Sequence, residues 1–372
     1  MTVGVPLSIY KERRVVMVRW KRARTGDPNR EYPEVDVRGT KAPEFSAITG
    51  VMQDKEAIVR MERENIDSAA ELFVTSSDDT KVSVVDPADG KVPAGATADI
   101  KIKGVAGANP NEATIEIRFG SKTGPILSKL LVRCYQRRRV TITPHIVTIH
   151  GPGGTGGVPS TANVANIMAH VQAFWRPSGV EFTIGATRND PVNFATANVL
   201  SDTPLPATPN TFAGTEVATL LQTNWIANTI NVYFVRQIGT GNMLGYGISR
   251  PSSVTFATVN PGIILGDQAG GMVHDTAWAG NDLAHEAGHF FQLWHPNLQQ
   301  PPTHREDTWA RRMLMHNHNT QAILGNWKDN NGYGAIGGSA RRGGLVTHKH
   351  ITGISTDNET RTARAAILAG PY

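Results

Sequence analysis

The sequence predicts two structural units in series, an all-β sandwich followed by an α+β unit built on a mixed, twisted sheet. Three observations lead there. Short alternating runs broken by turn residues fill positions 67–137. From Val140 the strand-like runs alternate instead with helix-period segments. One of those segments, around residues 283–290, carries apolar residues on one helical face and histidines on the other.

Composition sets the bounds. At 372 residues the chain is long enough for two domains with sizeable cores. Hydrophobic residues make up 40% and charged residues 19%, as in a folded globular protein and unlike a disordered one. No apolar run approaches a membrane span. At the N-terminus the apolar stretch from Val3 to Tyr10 precedes Lys11-Glu12-Arg13-Arg14, the reverse of a secretory leader, and no small-residue cleavage site follows. The expectation is a cytoplasmic protein, or one leaving by a leaderless route as a delivered bacterial toxin would. Oligomeric state is not legible. A single cysteine, Cys134, rules out an intrachain disulfide.

Residues 1–66 form an N-terminal segment of open structure. Val51 to Asp67 reads equally as helix or strand. Its basic group from Arg19 to Arg24 follows Val16 and interleaves with Val18 and Trp20, as the charged face of a half-buried strand would. Arg137-Arg138-Arg139 is a second basic cluster. The net charge is only +5 and no nucleic-acid module accompanies either cluster, so no nucleic acid is expected as partner.

Within 67–137, Leu72–Thr75, Lys81–Val85, Asp99–Lys103, Thr114–Phe119 and Leu130–Tyr135 read as strands of an antiparallel sandwich. The segment resembles a bacterial immunoglobulin-like domain. That resemblance implies positioning, adhesion or inhibition, without chemistry of its own. Cys134 falls on the packed face of the last strand and reads as a buried structural thiol.

The second unit spans 138–372. Val140–Ile149 reads as a long strand containing Pro144. The glycine-rich stretch 151–157 follows it, and lacks the Lys-Ser or Lys-Thr pair of a phosphate-binding loop. A helix capped at Ser160 or Thr161 then places Val164, Ile167, Met168, Val171, Phe174 and Trp175 at core spacing. Gly179–Ile184 and Thr229–Val235 are further strands, the latter running to a Gly-Tyr-Gly loop. Val254–Thr258 and Ile263–Leu265 are expected at the sheet edge. Thr356-Asp357-Asn358-Glu359 is a capping-box pattern opening a last helix through Leu368.

The chemistry concentrates in His285-Glu286-Ala287-Gly288-His289-Phe290-Phe291-Gln292-Leu293-Trp294-His295. On a helix, residues four apart share a face, so His285 and His289 can hold one ion. A catalytic zinc takes three protein ligands and keeps one position for water, and His295 is the natural third. Glu286 stands where a general base takes a proton from that water. The chain must turn after Phe291 to return His295, and Pro296 cannot continue a helix.

This stretch resembles the metzincin clan of zinc endopeptidases, whose signature is HExxHxxGxxH followed by a methionine-containing turn. The resemblance extends in element order over Val140–Tyr372. It departs at the clan's glycine, where Gln292 stands. A non-glycine residue in the left-handed turn expected there costs about 1 kcal/mol. Met315, in Arg312-Met313-Leu314-Met315-His316, matches the Met-turn methionine beneath the metal. The tyrosine that some members carry two residues later is Asn317 here. His316, His318, His348 and His350 lack ligand spacing and read as loop histidines.

The resemblance implies a zinc-dependent endopeptidase with one catalytic zinc on His285, His289 and His295, Glu286 as general base, and a protein or peptide substrate captured by strand addition at the sheet edge. An alternative is a binding or adhesion module whose zinc is structural and silent.

Overall fold

The computed structural model describes residues 17–23, 47–106, 111–154, 156–157, 159, 164–201, 215–239, 245–248, 260–269, 272–273, 276–293 and 359–370. Strand predominates over helix. Among the described residues no helix is long and apolar enough to cross a membrane.

Two sheets form the front unit. One has the order β1-β3-β7-β5, from β1 (Met17–Arg22), β3 (Glu56–Glu64), β5 (Val82–Asp86) and β7 (Thr97–Gly104). The other runs β2-β9-β8-β4-β6, from β2 (Ala47–Met52), β4 (Leu72–Ser76), β6 (Lys91–Val92), β8 (Asn111–Phe119) and β9 (Ile126–Tyr135). Their inner faces meet in one core, where Val59 and Ile100 of the first sheet join Leu72, Ile115 and Leu130 of the second. Trp20 donates its indole N–H across the layers to Ser128 Oγ at 3.0 Å. The alternation of β7, with Ala98, Ile100 and Ile102 buried, is the period of two that a half-buried strand requires.

The β-layered unit therefore reaches well before residue 67. Strands β1, β2 and β3 lie inside its sheets, which corrects the expected 67–137 span and resolves the ambiguous 51–67 stretch as strand. The charged residues of β3 obscure its pattern in sequence, because Arg60, Glu62 and Glu64 favour helix by propensity. In the fold they face Asp99, Lys21 and Arg19 in cross-strand ion pairs on the outer face, while Ala57, Val59 and Met61 go inward. Cys134 is fully buried in the sandwich core, as its strand parity predicts.

The second unit holds an eight-stranded mixed sheet with the path β11-β10-β14-β16-β15. Its central strand β10 (Arg138–His150) pairs in parallel with β14 (Ile230–Ile238) on one side. On the other side β11 (Val180–Ile184) takes the first half of β10 and β12 (Arg188–Asn193) the second. Pro144 falls in the gap between these two ladders, after Ile142↔Ile184 and before His145↔Arg188. A proline, having no N–H to donate, is tolerated in a central strand at such a break. Short β13 (Val199–Leu200) joins β14, and β17 (Met272–Val273) joins β16 (Gly262–Ala269).

The sheet edge differs from expectation. Ile263–Leu265 belongs to β16, which lies between β14 and the antiparallel strand β15 (Gly245–Ile248). Ile263 and Leu265 enter one core and Ile264 the other, so β16 is apolar on both faces, the mark of an interior strand. The Gly-Tyr-Gly segment expected as a loop is part of β15. Four residues, two of them glycine, gave no strand pattern to detect. Val254–Thr258 lies outside the described residues.

Helices cover both faces. α1 (Val164–Trp175), α3 (Thr276–Phe290) and α4 (Glu359–Ala369) share a core with Val232 and Phe234 of β14, whereas α2 (Glu216–Gln222) packs over Tyr233 and Val235 on the opposite face. α2 begins at Thr215, whose hydroxyl accepts from the Ala218 N–H at 3.1 Å. Gly280 lets α1 and α3 close on each other. An added Cβ there would lie 2.5 Å from His170 Cβ.

Candidate metal centre

The site is built on α3. Leu283, Ala287 and Phe290 are buried in the core beneath the helix, at the expected spacing, and Ala284 joins them there. Trp175 of α1 donates its indole N–H to the Ala284 carbonyl at 3.1 Å, fixing the helix along its length. Beyond the helix end, Phe291 meets Trp175 edge-on at 5.0 Å between ring centroids and stacks over Phe182 at 6.1 Å. These contacts secure the end of the helix that carries the histidines.

On its other side α3 buries a polar stripe. Asn281, Asp282, His285 and Glu286 are 3%, 5%, 1% and 6% exposed, far below what such residues show on an ordinary solvated helix face. The His285 and His289 rings lie one turn apart, 4.8 Å between centroids and nearly perpendicular at 89°. Two imidazoles so placed can share one cation. Among the described residues no three His, Cys, Asp or Glu side chains group as a metal site; His295, the expected third ligand, lies outside them. Met315, Asn317, His316, His318, His348 and His350 lie outside them as well.

The exit from α3 explains how a glutamine serves at the position where the sequence resemblance expected a glycine. Leu293 N–H donates to the Gly288 carbonyl and Gln292 N–H to the His289 carbonyl, each at 3.0 Å. These two bonds form a Schellman cap, which needs a left-handed residue just past the helix, and Gln292 supplies it at φ +62°. The turn predicted after Phe291 is therefore present, formed by a side chain that pays a modest steric cost there.

That turn also acts on His289, a candidate ligand. It brings the Leu293 carbonyl oxygen to 2.9 Å from His289 Nδ1. A carbonyl oxygen only accepts, so Nδ1 carries the proton and the lone pair of the neutral ring sits on Nε2. Orienting bonds of this kind are what metal-binding histidines use to fix ring and tautomer.

A second buried polar group was missed in sequence. His145 of β10, fully buried, presents Nδ1 to Asp190 Oδ2 at 2.5 Å and Nε2 to Asn231 Oδ1 at 2.9 Å. Asn231 cannot be turned around, because its Nδ2 donates to the Ile226 carbonyl and its Oδ1 accepts from the Ile226 N–H. His145 Nε2 is therefore a donor, and Nδ1 shares a proton with Asp190. Asn224 completes the group on Asp190 Oδ1, and Tyr233 stacks on the imidazole at 4.3 Å. Burial pushes the Tyr233 phenol well above its ordinary range. The network joins β10, β12, β14 and the 224–231 turn. A histidine and an asparagine inside otherwise apolar strands were its only trace in the sequence.

Compared with known proteins, the chain matches no family model and no curated protein.

Proposed function

We propose that this protein is a zinc-dependent endopeptidase of the metzincin type, with an immunoglobulin-like sandwich in front of its catalytic unit. The observation that carries the reading is the arrangement on α3. Buried His285 and half-buried His289 stand one turn apart, with buried Glu286 beside them and His289 Nδ1 engaged by the Leu293 carbonyl. Neutral imidazoles with a neighbouring carboxylate make a donor set that suits zinc. A left-handed Gln292 at the clan's glycine position supports the same reading, since the backbone there follows the clan's turn without the clan's residue.

His285, His289 and His295 would hold the ion. Bound zinc would supply Lewis-acid polarisation of the substrate carbonyl and acidify a water toward a pKa of ~7. The chain's own part is assigned to two groups. The Glu286 carboxylate accepts the proton of the attacking water and delivers it to the departing amine nitrogen. Strand β15, at the end of the sheet among the described residues, offers backbone N–H and C=O groups to an extended peptide. The substrate class is thus protein or peptide.

The test is cleavage of a mixed peptide pool, with and without chelator, together with metal analysis of the same sample. Chelator-sensitive cleavage with about one zinc per chain supports the proposal. Stoichiometric zinc with no cleavage of any peptide would move the assignment to a binding module with a silent metal.

A further inference from the structure

We infer that the C-terminal helix α4 is a clasp that locks the front sandwich against the catalytic unit, making the two units one rigid body. The units are joined by a link of only two residues, Gln136 and Arg137, between the end of β9 and the start of β10. A short link alone leaves a hinge, and domain motion is the default where the interface is small. Here the sandwich strand β2 packs on the turn 176–178 that follows α1, and a distant part of the chain fills the rest of the seam.

Arg364 of α4 is 6% exposed and reaches into that seam. Its Nη1 donates to the Gln136 carbonyl at 2.9 Å and to the Ser178 carbonyl at 3.1 Å, with the Gly179 carbonyl at 3.5 Å. One guanidinium thus ties the interdomain link to the turn that follows α1. The guanidinium carbon also sits 5.1 Å from the ring centroid of Tyr135, the last residue of the sandwich strand β9. One turn before Arg364, Thr360 bonds Ser178 hydroxyl to hydroxyl at 2.9 Å, both side chains fully buried.

The turn itself is shaped for this contact. Gly179 takes φ +73° and its carbonyl accepts the N–H of Arg138, the first residue of β10. A Cβ on Gly179 would lie 2.5 Å from Arg364 Nη1 and 2.6 Å from Tyr135 Cβ. Sandwich, link, turn and helix therefore converge on one point. Burial, with Arg138 nearby, lowers the Arg364 guanidinium to about 10, the cost of holding a cation in a seam closed to water. A clasp that bears such a cost fixes orientation more than it adds stability.

The experiment uses the full chain with cysteines placed at exposed Ala88 on the sandwich and Thr196 on the catalytic unit, spin-labelled for distance measurement; Cys134 is fully buried. The parent should give one narrow distance distribution. Arg364→Met should broaden it severalfold while the sandwich remains folded by circular dichroism, and Arg364→Lys should restore part of the narrowing. A broad distribution in the parent overturns the inference, as does a distribution left narrow by Arg364→Met. If Arg364→Met does not fold, the parent and Arg364→Lys distributions decide. No metal or cleavage enters the readout, so the outcome is independent of the peptidase proposal.

Discussion

His289 and Leu293 are joined by a bond of 2.9 Å from an imidazole nitrogen to a backbone carbonyl, across a turn whose left-handed residue is Gln292. Helix termination and orientation of the His289 ring are thus a single structural event. Substitutions of the turn residue should therefore change stability, and those that distort the turn should change zinc binding as well.

Gln292→Gly removes the steric cost of the left-handed conformation and should raise stability by up to about 1 kcal/mol with zinc affinity retained. Gln292→Val places a β-branched residue where it fits worst. It should lower stability by about 1–2 kcal/mol and weaken zinc binding by about tenfold or more through misplacement of the Leu293 carbonyl. Chemical denaturation and competitive zinc titration measure the two effects. Equal zinc affinity in Gln292→Val would show that the carbonyl bond does not orient the ligand.

His289→Ala and His285→Ala each remove an imidazole from the α3 pair and should abolish stoichiometric zinc in purified protein. Elemental analysis reads this directly. His295→Ala should do the same, and is the variant that locates the third ligand. Retention of zinc by His295→Ala would assign that place to another residue.

The α3 part of the candidate site was legible in the sequence, and the reasons are local. Helix periodicity placed His285 and His289 on one face, and Leu283, Ala287 and Phe290 beneath them, because a helix repeats every 3.6 residues whatever surrounds it. The front strands from Leu72 to Tyr135 were legible by their alternation. Strand β3 was not, because its solvent-facing residues are helix formers. The order of strands in the second sheet was not legible either, since Ile263–Leu265 can be placed only by knowing what covers both of its faces. His145, Asp190 and Asn231 lie 45 and 86 residues apart, and no local pattern links them.

The buried His145–Asp190 pair yields a stability prediction. Asp190→Ala leaves the fully buried His145 without its carboxylate partner, and should cost about 3–5 kcal/mol. Asp190→Asn keeps the shape and one acceptor and should cost less. Urea unfolding of both variants, at one pH, checks the order. A loss below about 1 kcal/mol for Asp190→Ala would mean that the network relaxes without penalty.

Cys134 should resist thiol reagents in the folded chain and react on denaturation, since it is fully buried in the sandwich core. Gly104→Ala tests the same packing from the facing strand, because the new Cβ would lie 2.6 Å from the Met52 carbonyl oxygen and 2.8 Å from Cys134 Sγ. It should destabilise the sandwich by about 1–3 kcal/mol, measured by thermal unfolding.

The most direct measurement is Glu286→Ala assayed for metal and for peptide cleavage in one preparation. The account predicts full zinc content with cleavage reduced by about 10²–10⁴-fold, since the base is lost while the imidazoles remain. Cleavage at the parental rate by the zinc-loaded variant would contradict it.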